Sequence, residues 1–203
     1  METPTFRCFI AIRLPEATKK WLKHLQTNVR KTGVQASWPK AETLHLTLKF
    51  LGQVPASRLS LVKACMSNVA RQVPSFFLNT SGMGVFPSVK KSRVFWAGIQ
   101  GQTDRLETLV SGLDACLTDQ AGMKPDKKRF SPHVTFARIK QNVSPRHTIA
   151  LIQSFEGQSA EPFDVVKIYL FKSILQPDGA KHEVLFSAPL LPQDKDGPSA
   201  GIS

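Results

Sequence analysis

Acidic side chains are in short supply: 15 Asp and Glu stand against 27 Lys and Arg in 203 residues, a formal net charge of +12. The imbalance points to a polyanionic partner, nucleic acid first, although basic charge also serves solubility. Cysteine is scarcer still. Cys8, Cys65 and Cys116 are odd in number, far apart and set among apolar neighbours, so they read as reduced core residues rather than a disulfide framework, redox pair or metal site. No apolar run approaches the roughly 20 residues that cross a bilayer. Met1-Glu-Thr-Pro-Thr-Phe-Arg7 lacks the basic-then-apolar layout of a secretory signal. A soluble, cytoplasmic protein with no membrane partner is expected. Missing as well are a Gly-x-Ser-x-Gly elbow and a reactive-cysteine context, and Ser81-Gly-Met-Gly84 has neither the spacing nor the Lys-Ser/Thr of a phosphate-cradling loop. What the chain does have is apolar material, 41% against 21% charged, enough for a packed core in one domain or two small fused halves.

Arg7-Cys-Phe-Ile-Ala-Ile-Arg13 is a compact apolar run that stops at Leu14-Pro15, as a strand running into a helix does. Trp21, Leu22, Leu25 and Val29 then recur at helical spacing, with Lys19, Lys20, Lys23 and Arg30 elsewhere around the axis. Leu44 to Phe50 alternates with period two before Gly52 and Pro55, and Leu59, Val62, Met66 and Val69 mark a second helix. Strands follow over 75–85 and 93–99, a helix through Leu106 to Leu117, another alternating run over 133–138, a short helix over 144–153, and strands over 163–174 and 183–190. The tail from Pro192 to Ser203, rich in Pro, Gly, Asp and Ser, is expected to be disordered. Strands adjacent in sequence, with helices interspersed, predict an α+β protein with antiparallel pairing and two similar halves, treated as lobes of one domain over 1–191.

The chemistry resides in a pattern that occurs twice, His45-Leu46-Thr47-Leu48 and His133-Val134-Thr135-Phe136. Residues two apart share a strand face, so each copy presents an imidazole and a hydroxyl together and buries the residues between. Five His and 13 Thr give about 0.3 chance occurrences of His-x-Thr. One such histidine alone is most often a strand residue bonded to a nearby carbonyl; two matched copies favour a site. Two imidazoles at one cleft can divide into a neutral general base and a charged general acid, because the ordinary His pKa of about 6.5 allows both forms near neutrality. Two threonine hydroxyls can donate to an anionic oxygen. That set suits phosphodiester chemistry without metal, since no third His or carboxylate accompanies either motif and the nearest acids are Glu42 and Asp126. No cofactor is expected. Lys124, Lys127, Lys128, Arg129, Arg138 and Lys140 crowd the second motif; singly each suits a solvated surface, and as a group they suit a phosphate-steering rim. Arg138 lies at an odd offset from His133, which on a regular strand turns it to the opposite face. Phe9, Trp38 and Phe130 are aromatics near the site strands, suited to core packing or to stacking on a base.

Arg7 to Pro15, Trp38 leading to Leu44-His-Leu-Thr-Leu-Lys-Phe-Leu-Gly52, Arg129-Phe-Ser-Pro-His-Val-Thr-Phe-Ala-Arg138, and Ser173 to Val184 resemble, in order over about 180 residues, the RNA 2′,3′-cyclic phosphodiesterases, also called 2′-5′ RNA ligases, of the 2H phosphoesterase superfamily. The resemblance implies a bilobal fold of two antiparallel sheets with pseudo-twofold symmetry around a central cleft. It implies His45 as proton donor to the departing 3′ oxygen and His133 as proton acceptor from water. Thr47 and Thr135 would hold the phosphoryl oxygens, with Phe9, Arg129 and Arg138 as further substrate contacts. The expected activity is hydrolysis of RNA 2′,3′-cyclic phosphate ends to 2′-phosphates by a monomer, with 2′-5′ ligation as the reverse. An RNA-binding protein without turnover, or a phosphodiesterase for another cyclic or 2′-5′-linked nucleotide, is the alternative. Phe136 departs from the aliphatic residue common in the family, at a core-facing position.

Overall fold

Residues 4–176 and 179–193 of the computed structural model are described. In order they form β1 (Thr5–Arg13), α1 (Glu16–Lys31), β2 (Ala36–Ser37), β3 (His45–Pro55), α2 (Leu59–Ala70), β4 (Phe76–Phe86), β5 (Val94–Gly101), α3 (Thr103–Ala121), β6 (His133–Ile139), α4 (Pro145–Ser154), β7 (Phe163–Val165), β8 (Lys167–Gln176) and β9 (Gly179–Pro189). Helix boundaries follow from local chemistry. Pro15 precedes α1, whose buried face carries Leu22, Leu25 and Val29, with Glu16 in the first turn and Arg30 and Lys31 in the last, matching the helix dipole. Gly122 ends α3 at φ +60°, the left-handed conformation that favours glycine. Ser144 caps α4 by accepting from the His147 backbone N–H, with Pro145 in the first turn.

The strands pair antiparallel in two sheets, β3-β1-β8-β9 and β2-β6-β5-β4-β7, as the α+β reading predicts. β1 is internal and buried on both faces. Cys8, Ile10 and Ile12 join the main core, a single cluster that also includes residues of the second sheet and all four helices. Phe9 and Ala11 face the other way and form a small apolar patch with Phe171. The two sheets exchange strands: β2, from the first half, pairs with β6, while β8 and β9 at the C-terminal end complete the sheet that β1 and β3 begin.

Three expectations differ in detail. The run over 163–174 is two strands broken at Val166, β7 belonging to one sheet and β8 to the other. β9 begins at Gly179 rather than near Glu183, and β2 is too short for its sequence to announce. In the tail, the Gln193 N–H donates to Ser75 Oγ at 3.2 Å; residues 194–203 lie outside the described residues. Among the described residues no helix is long and apolar enough to cross a membrane.

Candidate active site

β3 and β6 share an irregularity that decides which side chains reach the open side of each strand. Ala11 pairs with Thr47 and Ile10 with Lys49, so Leu48 is an extra residue on β3; Trp96 pairs with Thr135 and Phe95 with Ala137, so Phe136 is extra on β6. A bulge shifts the facing of everything beyond it by one residue. His45, Thr47 and Phe50 therefore lie on the open side of β3, while Leu46, Leu48 and Lys49 are buried. On β6 the same pattern exposes His133, Thr135 and Arg138 and buries Val134, Phe136 and Ala137. A regular strand would turn Arg138 away from His133; the bulge returns it to the same side. Gln26 secures this geometry. Its side-chain amide, buried on α1, donates to the Phe136 carbonyl at the bulge and to the Pro39 carbonyl, both at 2.9 Å.

Each motif histidine is held in the same way. His45 Nδ1 lies 2.7 Å from the Thr43 carbonyl and His133 Nδ1 lies 2.7 Å from the Ser131 carbonyl, two residues back in both cases. A carbonyl only accepts, so Nδ1 carries the hydrogen in both rings and Nε2 is left for a reacting group. His45 is stacked on Phe9 with ring centroids 4.6 Å apart, and Phe9 is stacked in turn on Phe171 at 5.1 Å. His133 meets Phe86 edge-on at 4.9 Å and Trp96 at 6.3 Å. Trp96 lies so close over Gly84 that a Cβ there would come within 2.3 Å of the indole, which explains glycine at that position on β4.

Burial pushes His45 down to about 4, with the neighbouring His182 and Arg138 adding to the effect and the Thr43 carbonyl opposing it. Arg138, from the strand of the second motif, is among the charges that act on His45. His182, on β9, stands edge-on to His45 at 5.2 Å and to Phe9 at 4.9 Å, and burial lowers its pKa too, against the opposing effect of the Lys181 backbone. Sequence reasoning does not single out this third histidine. Its only signal is its place in the C-terminal stretch Ser173 to Val184, and its proximity to His45 depends on the long-range pairing of β8 with β1 and β9.

The remaining candidates divide. Phe9 is in the cleft, under His45. Arg129 is 89% exposed and pairs with Glu107 of α3 at 3.7 Å, on the loop that leads to β6. Trp38 packs on the core with Arg30 over its ring at 4.8 Å, and Phe130 also packs against the core. Among the described residues no group of three His, Cys, Asp or Glu side chains could hold a metal ion.

Comparison with known proteins gives this architecture a family. The profile described as LigT like Phosphoesterase matches twice in tandem, over residues 12–96 and 98–181, and each match contains one His-x-Thr strand. An RNA 2′,3′-cyclic phosphodiesterase of Thermotoga maritima is 35% identical over 181 residues, covering 89% of this chain and 93% of that protein. A protein of the same name from Aeropyrum pernix is 28% identical, over 81% of this chain and 92% of its own. Among solved structures, a Thermus thermophilus protein superposes with a TM-score of 0.76 at 28% identity, over 93% of this chain and all of that one. Escherichia coli LigT shares the fold, with a TM-score of 0.72 at 21% identity over 92% of this chain and 98% of its own. A chain matched twice over most of its length, with one histidine motif in each repeat, belongs to the LigT-like phosphoesterase family.

Proposed function

We propose that this phosphoesterase opens the 2′,3′-cyclic phosphate at the end of an RNA chain and leaves a 2′-phosphate, without a cofactor. The observation that carries the reading is the pair of carbonyl-held imidazoles, each with Nε2 available and a threonine hydroxyl beside it. Relatives named for this activity support the choice of substrate. His133 Nε2 takes a proton from water as its oxygen bonds to phosphorus; His45 Nε2 gives a proton to O3′ as the P–O3′ bond breaks. The product carries a 3′-hydroxyl and a 2′-phosphate, and proton exchange with solvent resets both rings. Thr47 and Thr135 hydroxyls donate to the non-bridging oxygens, and Arg138 adds a cation where negative charge gathers. Phe9 holds the plane of the His45 ring. Burial favours the neutral form of His45, so the charged form needed of a donor is supplied when the anionic phosphate arrives beside it. A 5′-hydroxyl in place of water gives a 2′-5′ linkage through the same bond changes.

The test is turnover of 2′,3′-cyclic AMP and of a cyclic-ended RNA with the product identified. A 2′-phosphate is expected, and His45→Ala and His133→Ala should each lower kcat by about 100-fold or more. A dominant 3′-phosphate would overturn the assignment of the broken bond. Near-normal turnover by either folded variant would end the two-histidine mechanism.

A further inference from the structure

Beyond the catalytic cleft, the second half of β3 and the segment following α3 border an open cavity of about 470 Å³, within the size range of small-ligand sites. Phe50, Arg58 and Lys124 line it, together with Lys49 and Asp126. Phe50 is 69% exposed, because the β3 bulge turns it outward instead of into the core. Its ring lies 6.2 Å from that of Phe9, the ring that supports His45, so Phe50 is one aromatic step from the reacting groups. Lys49 is held between two carboxylates, Asp114 and Asp126, the latter at 3.1 Å. Arg58 and Lys124 make no ion pair among the described residues. The Arg58 guanidinium lies over Gly122, where a Cβ would approach it to 3.3 Å, so the glycine that ends α3 also leaves room for that side chain.

An exposed aromatic face beside two uncommitted cations is what a single-stranded nucleotide needs: a ring to stack its base on and positive charge for its phosphate. We propose that this cavity is the subsite for the nucleotide preceding the cyclic end, its base on Phe50 and the phosphodiester joining it to the terminal nucleotide between Arg58 and Lys124. The assignment rests on the reading of the catalytic cleft above and adds that the enzyme recognises a chain rather than a lone cyclic nucleotide. The pseudo-symmetry fits. Phe50 and Arg138 each stand three residues beyond the motif threonine and are turned outward by equivalent bulges, so one repeat offers an aromatic ring where the other offers a cation.

The experiment compares kcat/KM for 2′,3′-cyclic AMP with that for the dinucleotide ApA bearing a 2′,3′-cyclic end, in the unmodified protein and in Phe50→Ala, Arg58→Glu and Lys124→Glu, each checked for cooperative thermal unfolding. A base-stacking contact makes the dinucleotide better by about tenfold. Arg58→Glu and Lys124→Glu should each remove most of that advantage while changing cyclic AMP turnover by less than about twofold, and should flatten the salt dependence of the dinucleotide alone. Phe50→Ala, at an exposed position, tests the stacking without risk to the core. Equal kcat/KM for the two substrates in the unmodified protein would overturn the subsite and leave the cleft reading intact. Equal losses on both substrates in the charge-reversed variants would overturn it as well. Failure of both substrates to turn over would remove the cleft reading and the subsite together.

Discussion

Lys49 offers a quantitative test of how the site is held. Its ammonium, 2% exposed, pairs with Asp114 of α3 and with Asp126, and donates to the Lys124 carbonyl at 3.4 Å, while the Asp126 N–H donates to Asp114 Oδ1 at 3.2 Å. One buried cation thus ties the bulge of β3 to α3 and to the segment that enters β6. The carboxylates are less buried, 29% exposed for Asp114 and 53% for Asp126. This asymmetry makes the two halves of the pair unequal. Lys49→Met keeps the aliphatic stem and leaves behind carboxylates that water can reach, so the cost is the lost charge-assisted bonds less the relieved desolvation of the ammonium, a net of about 1–2 kcal/mol. Asp114→Ala leaves a buried ammonium with one carboxylate that is half in solvent, and its cost is a large part of the ~3–5 kcal/mol of a fully broken buried pair. For a chain of this size each kcal/mol moves Tm by about 2–4 °C, so thermal unfolding should place Asp114→Ala clearly below Lys49→Met. An equal or larger loss for Lys49→Met would refute the argument, since it would mean that solvent access to the partner left behind does not set the cost.

Three further outcomes follow from the cleft. Since kcat/KM reports the free enzyme and kcat the substrate complex, the alkaline limb due to loss of the His45 proton should lie at higher pH in kcat than in kcat/KM, and coincident limbs would argue against charging of His45 by the bound phosphate. Arg138→Ala should lower kcat/KM for cyclic AMP by about tenfold or more, the worth of one charge-assisted contact, while Arg129→Ala, which loses an exposed pair with Glu107, should stay within about twofold; the reverse order would move the phosphate contact to the loop. Turnover should survive EDTA, because the described residues gather no ligand set; loss on chelation with recovery on adding a divalent ion would reveal a metal role.

The parts of the site legible in the sequence are those encoded locally. The alternation of His45, Thr47 and His133, Thr135 with apolar residues fixes which side of each strand they occupy, and Leu22, Leu25 and Val29 define the buried face of α1 without knowledge of the partner. The facing of Arg138 is not legible, because a bulge is a property of the pairing: nothing in Thr-Phe-Ala-Arg distinguishes a regular strand from one with an extra residue opposite Phe95 and Trp96. The break at Val166 is hidden in the same way, since the segments on both sides are apolar strands and only their different neighbours separate them. His182 escapes a reading of the sequence because its contact with His45 spans 137 positions and depends on β9 closing the sheet.

The exchange of strands between the sheets also bears on synthesis. As the chain leaves the ribosome, β1 and β3 are available early, but β8, their partner on the far side of β1, starts at Lys167. Until then Phe9 and Ala11 lack the cover of Phe171, and the ring beneath His45 stands open to water. The sheet of the second motif can assemble sooner, since apart from β2, already made, its strands all lie between Phe76 and Val165. A released chain truncated before Lys167 should therefore protect the amides of β5 and β6 from hydrogen exchange more than those of β1, with the older half of the molecule waiting on the younger for its last wall.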